Sequence, residues 1–115
     1  MAAEGLKKDS QFRLVYREGR REAGKRITVL YLRAECEGPS AGFVASKKRV
    51  GKACQRNRAK RLMREIFRKL RDRINEKNIW IVFIASFRPE ETSFQELLED
   101  VERSLVRAGL ISNCG

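Results

Sequence analysis

The sequence predicts an α+β fold, a sandwich with the element order α-β-β-α-β-α, and three features of the 115-residue chain carry that reading. In the stretch 59–74, Ala59, Leu62, Met63, Ile66, Phe67, Leu70 and Ile74 recur at i, i+3, i+4 and i+7, so one face of a long helix belongs to a core. The run Ile79-Trp80-Ile81-Val82-Phe83-Ile84-Ala85 is apolar on both alternating faces, which suits a central strand covered on each side. The helix stands between this strand and an earlier one, a connection long enough to be a crossover in a small sheet.

The elements follow in order. Asp9 or Ser10 caps a short first helix, in which Phe12, Val15 and Tyr16 share a face and which Gly19 closes. Residues 20–26 read as a charged connector. Ile27-Thr28-Val29-Leu30-Tyr31-Leu32 is β-branched and half alternating, a strand. After the turn Glu37-Gly38-Pro39-Ser40, the run 41–46 returns as a second strand, antiparallel to the first because the connection is short. Residues 47–52, bent at Gly51, lead into the long helix. Arg88-Pro89 ends the third strand, and Ser93 with Glu96 forms a capping box for a last helix with Phe94, Leu97, Leu98, Val101, Leu105 and Ala108 on its buried stripe. Gly109 stops it.

Hydrophobic content of 42% supports one modest core, so residues 1–115 are expected to form a single domain. The N-terminus lacks the apolar run of a secretory signal, and no segment approaches the length of a membrane span, so a soluble, cytoplasmic protein is expected. Cys36, Cys54 and Cys114 are odd in number and in no CxxC arrangement, as incidental thiols of a reducing compartment would be. The chain has no histidine, which removes the commonest general base and the usual metal ligand. Neither catalytic residues nor a metal site are therefore expected on this chain.

Charge is the most localised property. Residues 47–73 hold thirteen Lys or Arg against Glu65 and Asp72, a surplus of +11, while the rest of the chain is balanced. On the long helix Asn57, Arg61, Arg64 and Arg68 lie opposite the apolar face, with Lys60 and Arg71 bordering one side and Arg58 and Lys69 the other. Arg56 projects nearer the apolar edge, although at the first turn it can also reach outward. A solvated helix face alternates its charges to relieve repulsion at i, i+4, whereas Arg56, Lys60, Arg64 and Arg68 form a row of four without an acid. Such a stripe is the footprint of a surface that displaces counterions from nucleic acid.

The segment SKKRVGKACQRNRAKRLMREIFRK, with its Arg56-Asn57-Arg58 core, is similar to the signature of the bacterial ribonuclease P protein subunit. Leu6-Lys7-Lys8, followed by Gln11-Phe12-Arg13-Leu14-Val15-Tyr16-Arg17-Glu18-Gly19, resembles that family's first helix, and the third strand and capped last helix come in its order. The resemblance implies the ribosomal protein S5 domain 2-like fold. It implies an RNA-binding subunit of a ribonucleoprotein endonuclease that matures the 5′ end of tRNA, a hydrolase whose catalyst is its RNA. Arg56, Asn57, Arg58, Lys60, Arg61, Arg64 and Arg68 would bind the RNA subunit through phosphates and shape.

In the family, aromatics matching Phe12 and Tyr16 face a cleft that holds the single-stranded 5′ leader of precursor tRNA. The residues alone leave core packing equally open for both. Leu30 or Tyr31, on opposite faces of the first strand, would line the same cleft, and Lys47 and Lys48 would flank it. Mg²⁺ would be held mainly by the RNA and the substrate, with none bound by the protein alone, and the RNA-bound protein is expected to be a monomer. Two departures stand out: Gly5 occupies a position that is often basic in the family, and Arg49 adds a residue to the strand-to-helix loop relative to some members.

Other classes fit less well. A bZIP-like basic region needs an Ala three residues after the Asn, where Lys60 stands, and AGFVASKK only faintly echoes an RRM strand. A metal-dependent nuclease needs a carboxylate cluster, yet Glu65 stands almost alone near the basic face. The alternative is a ribosome-associated RNA-binding assembly factor of similar architecture, with no nuclease role.

Overall fold

A four-stranded sheet in the order β1-β2-β4-β3 organises the molecule. The structure is a computed structural model and describes residues 9–34 and 38–111. Leu6-Lys7-Lys8, Cys36 and Cys114 lie outside the described residues, as does any cap preceding Asp9. The elements are α1 (Asp9–Glu18), β1 (Arg20–Ala23), β2 (Ile27–Arg33), β3 (Ser40–Val44), α2 (Lys47–Val50), α3 (Ala53–Leu70), β4 (Ile79–Ala85) and α4 (Phe94–Arg107), with 3-10 turns at Arg71–Arg73 and Pro89–Glu91.

β4 is central, as its two apolar faces predict. It pairs antiparallel with β2, Leu30 opposite Val82, and parallel with β3, Gly42 opposite Val82. Because β4 lies between them, β2 and β3 run in opposite senses without being hydrogen-bonded neighbours. The parallel β3–β4 pair makes α2 and α3 a crossover.

Residues 20–23 correct the expectation of a connector: they form edge strand β1, with Arg21 opposite Leu30 and Glu22 opposite Val29. An edge strand needs backbone pairing on one side only and tolerates charged side chains, so Arg20-Arg21-Glu22 shows no strand-like hydrophobic pattern. The second predicted strand ends early for a related reason. Ser46 accepts from Arg49 N at 3.2 Å and caps α2, a short helix that ends at Gly51 with φ 121°.

The two faces of the sheet carry separate apolar clusters. On one, Ile27, Val29, Ile79, Ile81 and Phe83 meet Ala59, Met63, Ile66, Phe67 and Leu70 of α3 and Leu97, Val101 and Leu105 of α4. Phe43, Phe67 and Phe83 lock its centre edge-to-face, with centroids 5.5–6.4 Å apart, a geometry that adds about 0.5–1.5 kcal/mol per pair beyond area burial. On the other face α1 is, among the described residues, the helix that covers the sheet, through Val15 against Leu30 and Val82, and Leu32, Val44, Trp80 and Ile84 stay half-buried.

Two close contacts hold the ends of this arrangement. Gly19 donates its N–H to Val15 O at 2.8 Å, and a Cβ at this position would lie 2.5 Å from that oxygen and 2.7 Å from Tyr31 O. At the β1–β2 turn, the carboxylate of Asp100, 2% exposed, accepts from the backbone N–H groups of Lys25, Arg26 and Ile27 at 2.9–3.0 Å. In α4, Ser93 accepts from Glu96 N as a capping box requires, but the Glu96 side chain turns to Arg26 at 3.6 Å instead of closing the box. Gly109, φ 78°, ends that helix as expected.

Candidate nucleic-acid interface

α3 turns its apolar face to the core, which leaves its cations outward. Asn57, Arg58, Arg61, Arg64, Arg68 and Lys69 are exposed, and Lys60 and Arg71 border the core half-buried, as the helical spacing predicts. Arg68 is neutralised locally by Glu65 at 3.3 Å. Among the described residues, no carboxylate comes within ion-pair distance of Arg56, Arg58, Lys60, Arg61 or Arg64. The stripe thus stores mutual repulsion that a polyanion would relieve.

The head of α3 reinforces this. Lys52 gives it no side-chain cap, and its first turn holds no acid, so N–H groups and cations coincide at the end where the helix dipole already favours anions. Arg56 is half-buried there, and its Nε is enclosed without a hydrogen-bond partner. Its nominal orientation toward the apolar edge is the one realised.

A second surface lies on the other face of the sheet. Where α1 leaves β2 and β4 uncovered, a cleft of about 400 Å³ opens, with Leu30, Thr28 and Ile84 as floor, Tyr16 and Gly19 on the α1 side, Arg21 on β1, and Ser46 and Arg49 at α2. Its volume falls within the ~300–1,000 Å³ of small ligand sites. Tyr16 is 49% exposed, yet burial of its hydroxyl end pushes the phenol pKa above its ordinary value. Arg49 donates to Ser86 Oγ at 2.9 Å, and Ser86 N is tied to Arg26 O at 2.7 Å, so one guanidinium is tethered to the end of β4.

Of the two strand residues left open by the sequence, Leu30 is in the cleft and Tyr31 packs half-buried on the opposite face against the main core. Phe12 and Tyr16 part company as well: Phe12 is half-buried against the Val15–Leu30–Val82 cluster, and Tyr16 faces the opening. Lys47 and Lys48 are exposed on α2 but are not among the lining residues; Arg49, next along, is. Sequence reasoning does not reach Arg21, Thr28, Ser46, Arg49 and Ile84 as cleft residues. Thr28 shares its face with Leu30 by strand alternation and so carries a signal; Arg21, in an edge strand that reads as a connector, carries none.

The polar groups around both surfaces are mostly guanidinium, ammonium, hydroxyl and amide groups, with the Glu65 carboxylate beside Arg68 on α3. Among the described residues, no group of three or more His, Cys, Asp or Glu is placed to hold a metal ion. No helix among the described residues is long and apolar enough to cross a membrane.

Known proteins are similar to this chain in sequence and in fold. The ribonuclease P protein component of Clostridioides difficile is 35% identical over 107 residues, covering 93% of each chain, and that of Symbiobacterium thermophilum is 39% identical over 96% of this chain and 95% of its own. The ribonuclease P protein structure from Staphylococcus aureus superposes with a TM-score of 0.83 at 26% identity, covering 96% of this chain and 99% of that one. The one from Thermotoga maritima gives 0.77 at 31% identity, covering 90% and 96%. The family model for ribonuclease P matches residues 1–109, and with family model, curated relatives and fold in agreement, the chain belongs to the ribonuclease P protein family.

Proposed function

We propose that the chain binds the catalytic RNA of ribonuclease P through the outward face of α3 and the 5′ leader of precursor tRNA in the cleft under α1, promoting endonucleolytic 5′ maturation of tRNA in the cytoplasm. Members of its family are protein components of an endoribonuclease. The observation that carries the reading is the separation of two surfaces by one sheet. α3 presents cations without acidic partners to a folded RNA, and the cleft presents an exposed aromatic ring beside arginines, the combination that suits unpaired nucleotides.

In this reading the protein neutralises phosphate charge and fixes the leader, while hydrolysis belongs to the RNA. Mg²⁺ is held mainly by RNA and substrate phosphates. Adding the purified chain to the catalytic RNA is expected to lower the salt and Mg²⁺ needed for cleavage, and the protein alone is expected to cleave nothing. An unchanged requirement, together with copurification of ribosomal RNA in place of one RNA of ribozyme size, would replace this reading with that of a ribosome-assembly factor.

A further inference from the structure

We propose that Arg49 and Arg21 are a pair of phosphate-binding arginines that hold the backbone of an unpaired RNA strand across the cleft, with Ser86 as the positioning residue that holds Arg49 ready. This rests on the leader reading above and assigns the groups that would grip the strand.

The two arginines enter the cleft from different elements, Arg21 from edge strand β1 and Arg49 from α2. The floor between them is apolar at Leu30 and Ile84, and Tyr16 offers the ring on which a base can stack. Among the described residues no acidic side chain lines the cleft, so an anion entering it meets cations without a competing carboxylate. Arg49 is the better organised of the two. Its backbone N–H is bound to Ser46 Oγ, one terminal nitrogen donates to Ser86 Oγ at 2.9 Å, and Ser86 is itself anchored by its N–H to Arg26 O, just before β2. That tether uses one of the five donors of a guanidinium and leaves the rest for a bidentate phosphate contact. An arginine held before binding loses less side-chain freedom when the strand arrives.

The placement also ties the cleft to the head of α3. Arg49 stands two residues before Gly51 and four before the start of α3, so a strand held at Arg49 leaves the cleft beside the head of the RNA-binding helix.

The test uses the chain assembled with its catalytic RNA and measures affinity for precursor tRNA with and without a 5′ leader across a salt series, for Arg21→Gln, Arg49→Gln, Ser86→Ala and Tyr16→Ala. Each arginine variant is expected to lose about tenfold in affinity for the leader-bearing substrate and to reduce the log–log salt slope by about 0.7, the value for one single-strand phosphate. Ser86→Ala keeps both charges, so it is expected to lose affinity with the slope unchanged. Arginine variants with parental affinity and slope, beside a Tyr16→Ala that still loses leader-dependent affinity, overturn the arginine pair and leave the leader reading standing. If Tyr16→Ala loses nothing either, both fail. A lowered melting temperature in Arg49→Gln with an unchanged slope makes Arg49 a structural tie to Ser86 and likewise overturns the proposal.

Discussion

The guanidinium carbon of Arg64 sits 5.4 Å from the centroid of the Phe43 ring, so one cation of the α3 stripe is also a packing partner of β3. Phe43 in turn stacks edge-on with Phe67 and Phe83. The cationic face of α3 and the core are therefore in contact through the Arg64 side chain, and the contact separates two substitutions that would otherwise look alike.

Arg61→Ala and Arg64→Ala are both expected to weaken assembly with the RNA subunit and to reduce the salt slope by about 0.7–0.9 per lost phosphate contact. Only Arg64→Ala also gives up a cation–π contact, about 0.5–1 kcal/mol at an exposed site. Salt titrations paired with thermal melts check this. Equal melting temperatures for the two variants would deny the contact with Phe43 any weight, and unchanged slopes would make the stripe a solvated face.

Tyr16 and Phe12 should respond in opposite ways. Tyr16→Ala is expected to lose about 1–3 kcal/mol in binding leader-bearing precursor tRNA with little change in stability, because the ring is half exposed. Phe12→Ala removes a half-buried ring and is expected to destabilise by about 2 kcal/mol, below the ~3–5 kcal/mol of a fully buried phenylalanine. Melting temperatures and leader-dependent affinities on the same two proteins decide it; a large melting shift for Tyr16→Ala would return that residue to the core.

Asp100 makes stability depend on acid. Burial, the largest single influence, pushes its carboxyl up, but the N–H groups of Arg26, Lys25 and Ile27 and the nearby Arg103 together hold it below 3.8. A group whose folded pKa is depressed contributes stability above its unfolded value and loses it as pH falls through the folded one. The parent protein is therefore expected to lose stability below about pH 4. Asp100→Asn, whose amide cannot accept all three N–H bonds, should cost about 2–3 kcal/mol at neutral pH and flatten the acid limb. Melts across the acid range would expose an error as parallel curves for the two proteins.

Gly19→Ala tests the junction between α1 and the sheet. Its Cβ would press on two backbone oxygens, Val15 O and Tyr31 O, which cannot swing aside as a side-chain tip would. The expected cost is about 1–3 kcal/mol of overpacking, accompanied by weaker leader binding because α1 bears Tyr16. Unchanged stability would mean that α1 can move freely against β2.

Much of this molecule is legible in its amino-acid sequence. The period of 3.6 in Ala59, Met63, Ile66, Phe67 and Leu70 identifies the inward face of α3, and with it the outward position of Asn57, Arg61, Arg64 and Arg68. The doubly apolar run from Ile79 to Ala85 identifies the central strand with its bounds. Local chemistry also marks the helix ends at Ser93 and Gly109. These features are written in side-chain polarity, and side-chain polarity is what a sequence displays.

What only the tertiary structure decided depends on backbone pairing and on how fully each face is covered. β1 joins the sheet through main-chain hydrogen bonds that any side chain permits, so Arg20-Arg21-Glu22 carries no trace of its role. Leu30 and Tyr31 are adjacent and both apolar, and the choice between them follows from α3 and α4 covering one face together while α1 is, among the described residues, the helix on the other. The same incomplete cover sends Phe12 toward the core and Tyr16 toward the opening, although both lie on one side of the same helix. Periodicity tells which residues point the same way; the depth to which a neighbouring element buries them is set by segments distant in the chain, and their packing is fixed only when the sheet is assembled.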